Sequence, residues 1–252
     1  MKKSIVLSSG GLDSSVCTAY AVDRYGKDNV VTVSLIYGQK HLKEIFCAEE
    51  IAKYYEVKHV VQDISSSFEF SKNVSSLMQG SEIQIVDKCY ADQIAESGSP
   101  NTEVPLRNGI FLTVAASIAM CIFPGEEVKV IYGAHADDAA GEAYPDCSVE
   151  FANIADLLIQ KGTRDLVSLE RPLINMTKAE VVELGLKLKV PFQHTWSCYH
   201  GDDEAEGFCG TCRDRIFAFK ANGVIDPIKY STPIDWSGCK KIDYLIDEYE
   251  EV

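Results

Sequence analysis

The chain has 252 residues, 46% of them hydrophobic and 25% charged, with a formal net charge of −14. This is the composition of a soluble globular protein able to bury a substantial core, and so acidic a balance weighs against nucleic-acid binding, which rests on a basic face. The apolar run after Lys2 and Lys3 stops at Ser8-Ser9-Gly10-Gly11, too soon for a signal peptide, and the longest apolar stretch, Ile110 to Phe123, is too short to span a bilayer. A cytoplasmic protein without membrane contact is therefore expected, and its nine cysteines do not read as a disulfide framework.

Lys3 to Ser8 reads as a short buried strand, followed by a glycine-rich turn and a helix from about Ser14 to Tyr25, closed by Gly26. Val30 to Tyr37 is a second strand. Leu42, Ile45, Ala48, Ala52 and Tyr55 recur at helical spacing, and Val57 to Ile64 is a third strand. This alternation predicts an α/β fold: an open parallel sheet with helices on both faces. Periodicity is lost from Ser65 to Val104, a stretch that reads either as a functional loop, such as a lid, or as surface decoration. A buried helix over 110–123, a strand from Val128 to Gly133 and a helix within Pro145 to Ile159 come next. Thr177-Lys178-Ala179-Glu180 fits a capping box at a helix start. A cysteine-bearing segment follows Pro191, and a helix from Asp214 to Asn222 ends at Gly223. The expected division is a nucleotide-binding domain over 1–193 and a segment over 194–252 packed on it.

The sharpest local signal is Ser9-Gly10-Gly11-Leu12-Asp13-Ser14, directly between the first strand and the first helix. Glycines let backbone N–H groups turn toward phosphate oxygens, and a helix N-terminus adds unpaired N–H groups and a positive dipole end. Ser9 and Ser14 offer hydroxyls, and Asp13 suits a Mg²⁺ ion better than bare phosphate. No Gly-Lys-Ser/Thr follows, so this is not a Walker loop, and the dinucleotide-binding spacing is absent too. The S-G-G-x-D-S pattern resembles the PP-loop of ATP pyrophosphatases, which cleave ATP between its α and β phosphates. Nucleotide contacts are expected from Leu7, Ser8, Ser9, Gly10, Gly11, Leu12, Asp13, Ser14 and Ser15. Tyr37, Gly38 and Gln39 join them, because they follow a strand end where parallel sheets bind ligands.

Further segments resemble one branch of that superfamily, the 7-cyano-7-deazaguanine synthase family of the queuosine pathway. They are Leu7 through Ser14, Tyr37-Gly38-Gln39-Lys40-His41, Val104-Pro105-Leu106-Arg107-Asn108, Tyr144-Pro145-Asp146-Cys147, Pro172-Leu173 through Glu180, and Thr195-Trp196-Ser197-Cys198-Tyr199. The resemblance implies a ligase that uses ATP, Mg²⁺ and ammonia to turn 7-carboxy-7-deazaguanine into a nitrile by two adenylations in one site, and it suggests a homodimer. Under it, Asp13, Arg107 and Lys178 are the catalytic candidates. Arg107, Asn108, Tyr144 and Asp146 are the substrate candidates, with Asp146 placed to read a guanine-like base. A second reading keeps the adenylation but joins the deazaguanine to a protein amine, as in synthase-like antiviral proteins. A third is a non-catalytic nucleotide-binding protein, against which the intact Gly10, Gly11, Asp13, Arg107 and Lys178 argue.

Cys198, Cys209 and Cys212 form a C-x10-C-x2-C pattern whose last pair has zinc-knuckle spacing. The family carries four cysteines here, and Glu206 occupies the place of the second when the segments are aligned on Arg215. A zinc ion held by Cys198, Glu206, Cys209 and Cys212 is the leading expectation. His200 or Cys239 as fourth ligand, a weaker site, no metal, and sulfur-transfer chemistry at the cysteine pair stay open.

Overall fold

A computed structural model describes residues 2–86, 90–139, 143–200 and 203–246. Among them, five strands form one parallel sheet in the order β3-β2-β1-β4-β5: β1 Lys3–Leu7, β2 Val30–Ile36, β3 Lys58–Asp63, β4 Val128–Ile131 and β5 Val167–Glu170. The inner strands bury both faces, and their sequences are accordingly runs of Val, Ile and Leu rather than alternations. β5 is a strand the sequence reading did not contain.

The helices are α1 Leu12–Tyr25, α2 Lys43–Tyr54, α3 Tyr90–Ser97, α4 Arg107–Ile122, α5 Ala136–Ala139, α6 Val149–Gly162, α7 Lys178–Lys187 and α8 Gly210–Ala221. On one face of the sheet α1, α7 and α8 enclose a core with Val16, Val181, Val182, Phe192 and Phe219. Ile242 and Leu245 belong to the same core, so the C-terminal segment and the start of the chain share one interior. On the other face α4 and α6 cover Ile5, Val33, Val130 and Leu169. α4 is buried along one side only: Leu112, Ala115, Ala116 and Ala119 face inward, while Thr113, Ser117 and Cys121 are exposed, which corrects the expectation of a wholly buried helix.

Residues 65–104 also depart from the irregular stretch expected. Ser65–Asn73 is a 3-10 helix and Tyr90–Ser97 is α3. Phe68, Met78 and Val104 bury themselves with Tyr37 in a small satellite core, and Ser75 and Ser76 have no exposed surface. These residues anchor the stretch to the end of β2. The capping box is present as expected, with the Thr177 hydroxyl accepting from the Glu180 N–H and the Glu180 carboxylate accepting from the Thr177 N–H.

Strand order reverses between β1 and β4, each of which is followed by its connection on the opposite side of the sheet. Open parallel sheets bind ligands in the crevice at the carboxyl ends of such strands. A cleft of about 320 Å³ opens there.

Candidate active site

The cleft begins with the glycine-rich turn. Gly10 has a φ of +75°, and a Cβ there would lie 2.1 Å from the carbonyl oxygen of Glu44 and 2.7 Å from the backbone nitrogen of Ala48. Glycine is required at 10 because α2 presses its backbone against the turn. Gly11 is the N-cap of α1 and has no side chain to cap it, so the first-turn amides after it are offered to a ligand. The turn is braced internally: Ser14 Oγ lies 3.2 Å from Ser9 Oγ and donates to Gly11 O at 3.1 Å, and Ser15 Oγ donates to Gly11 O at 2.8 Å. Leu7, Ser8, Ser9, Gly11, Leu12, Asp13 and Ser14 line the cleft. Ser15 is fully buried behind the turn, so its hydroxyl serves the bracing.

Asp13 and Lys178 meet here from α1 and the start of α7, with Lys178 Nζ donating to Asp13 Oδ2 at 2.6 Å and to Oδ1 at 2.8 Å. His135 Nε2 lies 3.2 Å from Lys178 Nζ and 3.3 Å from Asp138 Oδ2. Asp137 Oδ2 accepts the Lys178 backbone N–H at 2.7 Å, which joins α5 to the first turn of α7. Burial alone would raise the Asp13 pKa, but Lys178 and His135 outweigh it and hold the carboxyl below its ordinary value. Burial opposes the Lys178 charge as well, and Asp13 and Asp138 overcome it, leaving this pKa raised. Asp138 is pushed up by its burial.

Across the cleft stands Arg107, the first residue of α4. The preceding Leu106 has a φ of +54°, an uncommon backbone state for a leucine that turns the chain into the helix. The Arg107 guanidinium lies over Tyr37 and Phe111, 5.8 Å and 6.0 Å from their ring centroids. Tyr37 packs edge-on against Phe68 and Phe111. Gln39 is buried and its side-chain oxygen accepts the Tyr37 N–H at 2.9 Å. Asn108, Thr102 and Tyr144 also line this end, the last two in a hydrogen bond of 2.7 Å.

Asp146 sits differently. Its Oδ2 accepts the backbone N–H of Asn108 at 3.0 Å and its carbonyl oxygen faces the Asn108 amide at 3.4 Å, so this carboxylate fastens the start of α4. Glu44, half-buried on the cleft wall, was not singled out by sequence; a glutamate in a helix's first turn carries no signal beyond the helix dipole.

The sulfurs of Cys198, Cys209 and Cys212 lie within 4.8 Å of one another and all three residues are buried. A tetrahedral zinc with Zn–S bonds of about 2.3 Å needs sulfurs roughly 3.8 Å apart, so the spacing suits a single ion. Hydrogen bonds from Cys198 and Cys209, then burial, raise the Cys212 pKa. The Glu206 carboxylate lies outside this group, with Oε2 at 2.6 Å from His200 Nδ1, while its backbone N–H donates to Cys198 Sγ at 3.4 Å. The segment is tied to the glycine-rich turn, because the Trp196 N–H donates to Gly10 O at 2.9 Å. Arg215 is fully buried in a forked pair with Asp226, at 2.6 Å and 2.9 Å, and donates to Thr195 Oγ1.

Among the described residues no helix is long and apolar enough to cross a membrane. A profile of the family described as queuosine biosynthesis protein QueC matches residues 3–223. A 7-cyano-7-deazaguanine synthase of Caldicellulosiruptor saccharolyticus is 38% identical over 93% of this chain and 98% of its own length. One from Archaeoglobus fulgidus is 38% identical over 99% of this chain and 96% of its own. Among solved structures, a U34-tRNA thiolase from Methanococcus maripaludis superposes with a TM-score of 0.48 at 17% identity, over 88% of this chain and 67% of that one, too distant to add to the assignment. With a parallel sheet, a phosphate-loop turn at its switch point and relatives matched nearly end to end, the chain belongs to the queuosine biosynthesis protein QueC family of 7-cyano-7-deazaguanine synthase enzymes.

Proposed function

We propose that the chain converts 7-carboxy-7-deazaguanine and ammonia to 7-cyano-7-deazaguanine at the expense of ATP. The observation that carries this reading is the uncapped start of α1 at Gly11, set beside the Asp13–Lys178 pair: an anion cradle with a cation at its mouth. A carboxylate is a poor electrophile because oxide would have to leave. Transfer of AMP to it provides a good leaving group and releases diphosphate. The α1 amides and Ser9 and Ser14 grip that diphosphate, and Lys178 stabilises the charge that develops at the α-phosphorus. Arg107 forks onto the substrate carboxylate and fixes its attack angle. Tyr37 and Gln39 shape the nucleotide pocket, and Asn108 and Tyr144 the substrate pocket. Ser15, Gly38 and Asp146 support the site from behind it.

Hard oxygen donors suit Mg²⁺, and Asp13 with Asp138 beside it supplies them; the ion would neutralise diphosphate charge. Three buried thiols suit Zn²⁺, which would staple the cysteine-bearing segment beside the turn, with the Glu206 carboxylate completing the set after leaving His200. Exposed Ile154, Leu157 and Leu158 make an apolar face on α6, which fits a homodimer; sedimentation of the purified protein tests it. The chemistry is tested by incubation with carboxydeazaguanine, ATP and ammonium and mass analysis of the products. Free nitrile with AMP supports the reading, and no AMP overturns it. AMP without nitrile would direct attention to a protein amine as acceptor.

A further inference from the structure

Two carboxylates lining the cleft are left without work by these assignments: Asp214 of α8, whose charge neighbours are Lys178, Asp137 and His135, and Glu44, which alone of the two feels Arg107. Asp13 is engaged by Lys178, Asp138 by His135, and Asp137 by the Lys178 N–H. Glu44 is not engaged in this way. It projects from the first turn of α2 into the cleft, and among the described residues its carboxylate has neither a hydrogen bond nor a direct ion pair. The cation whose charge acts on it is Arg107, and no ion pair closes between the two. The other groups around it are the Tyr37 phenol from the end of β2, Lys40 and His41 of the loop before α2, and Cys47 and Lys43 of its own helix. An unpaired carboxylate held in a cleft, across from the guanidinium assigned to the reacting carboxyl, is placed to handle protons at that carbon.

We propose that Glu44 is the proton acceptor for nitrogen in both halves of the reaction. The inference rests on the function proposed above. In the first half, an ammonium ion gives one proton to Glu44. The freed lone pair forms the C–N bond at the adenylated carboxyl carbon, and the C–O bond to AMP breaks with its electron pair on the phosphate oxygen. A second nitrogen proton passes to the departing AMP, leaving the neutral amide. Glu44 returns its proton to water. In the second half the amide oxygen carries AMP, and the nitrogen sheds one proton to water. Glu44 takes the last N–H proton, the N–H electrons close the third C–N bond, and the C–O bond to AMP breaks.

The electrostatics support this geometry. Burial raises the Glu44 pKa to about 7 against the opposing pull of Arg107. A base performs best when its pKa lies near the working pH. A glutamate serving only the dipole of α2 would be stabilised as the anion instead.

The test uses Glu44→Gln in the full chain, read by three measurements. Substrate-dependent exchange of pyrophosphate into ATP reports adenylation and is expected to be unchanged. Nitrogen transfer from ammonium is expected to fall by roughly a hundredfold or more. Hydroxylamine is already unprotonated at neutral pH, so its transfer to give the hydroxamate is expected to stay near the wild-type rate. Equal losses with both nucleophiles, or loss of exchange alongside transfer, overturn the proposal. Should the variant not fold, wild-type protein labelled with ¹³C at glutamate carboxyls decides: one carboxyl titrating near neutrality supports the proposal, and every glutamate titrating in the ordinary range overturns it. Absence of exchange in the wild type would sink the proposed function itself, separately from the role of Glu44.

Discussion

At the glycine-rich end of the cleft Lys178 pairs with Asp13, and His135 Nε2 lies within hydrogen-bond distance of Lys178 and Asp138 while its Nδ1 has no partner among the described residues, whereas at the other end Arg107 acts on Glu44 without an ion pair. The first arrangement keeps its charges balanced and positioned, so a nucleotide arriving there exchanges one set of ion pairs for another. The second holds a cation and an acid in one cleft without an ion pair between them. Under the proposed function the first end would serve the leaving group and the second the nucleophile.

The comparison breaks most sharply at Lys178. Lys178→Met removes the cation that balances Asp13, and kcat is expected to fall by about 10² to 10³-fold, read as pyrophosphate release with saturating substrates. A variant that keeps its rate would deny that this end handles the leaving group. Arg107→Lys keeps the charge at the other end but loses the fork. The KM for the carboxylate substrate is expected to rise by roughly 10 to 100-fold with kcat spared. A fall in kcat at constant KM would instead place Arg107 in the transition state alone. The rim of the cleft should respond least. Glu206→Cys restores a fourth thiol and is expected to slow zinc loss to a chelator while leaving turnover unchanged. Elemental analysis that finds no zinc in the wild-type protein would remove the metal from the proposal.

Much of this architecture is legible in the chain itself. The first strand, the Ser9-to-Ser14 turn and the helix closed by Gly26 are fixed by local chemistry: a short apolar run, glycines at the turn, a glycine at the helix end. β5 is not legible. Its four residues, Val-Ser-Leu-Glu, are too few to establish a period, and the turn before it places Arg164 and Asp165, not a glycine, at positive φ. The long 3-10 helix Ser65–Asn73 is set by Phe68 packing against Tyr37 rather than by propensity. α8 begins at Gly210, earlier than the expected Asp214, which puts Cys212 on its first turn beside the other thiols. In the site, Asp13 and Lys178 stand far apart in sequence and meet only because α1 and α7 share a core, although each was flagged by its own motif. Tertiary contacts add what no motif carries: Asp146 accepts the backbone N–H of Asn108, and Glu44 comes under the influence of Arg107 from another helix.

The absent side chain at Gly10 couples distant parts of the molecule. α2 rests its main chain directly on that residue, and the Trp196 N–H donates to its carbonyl. The loop thus touches both the helix bearing Glu44 and the strap bearing the thiols, so a side chain added at residue 10 would have to displace α2 and would strain the contact to Trp196 as well.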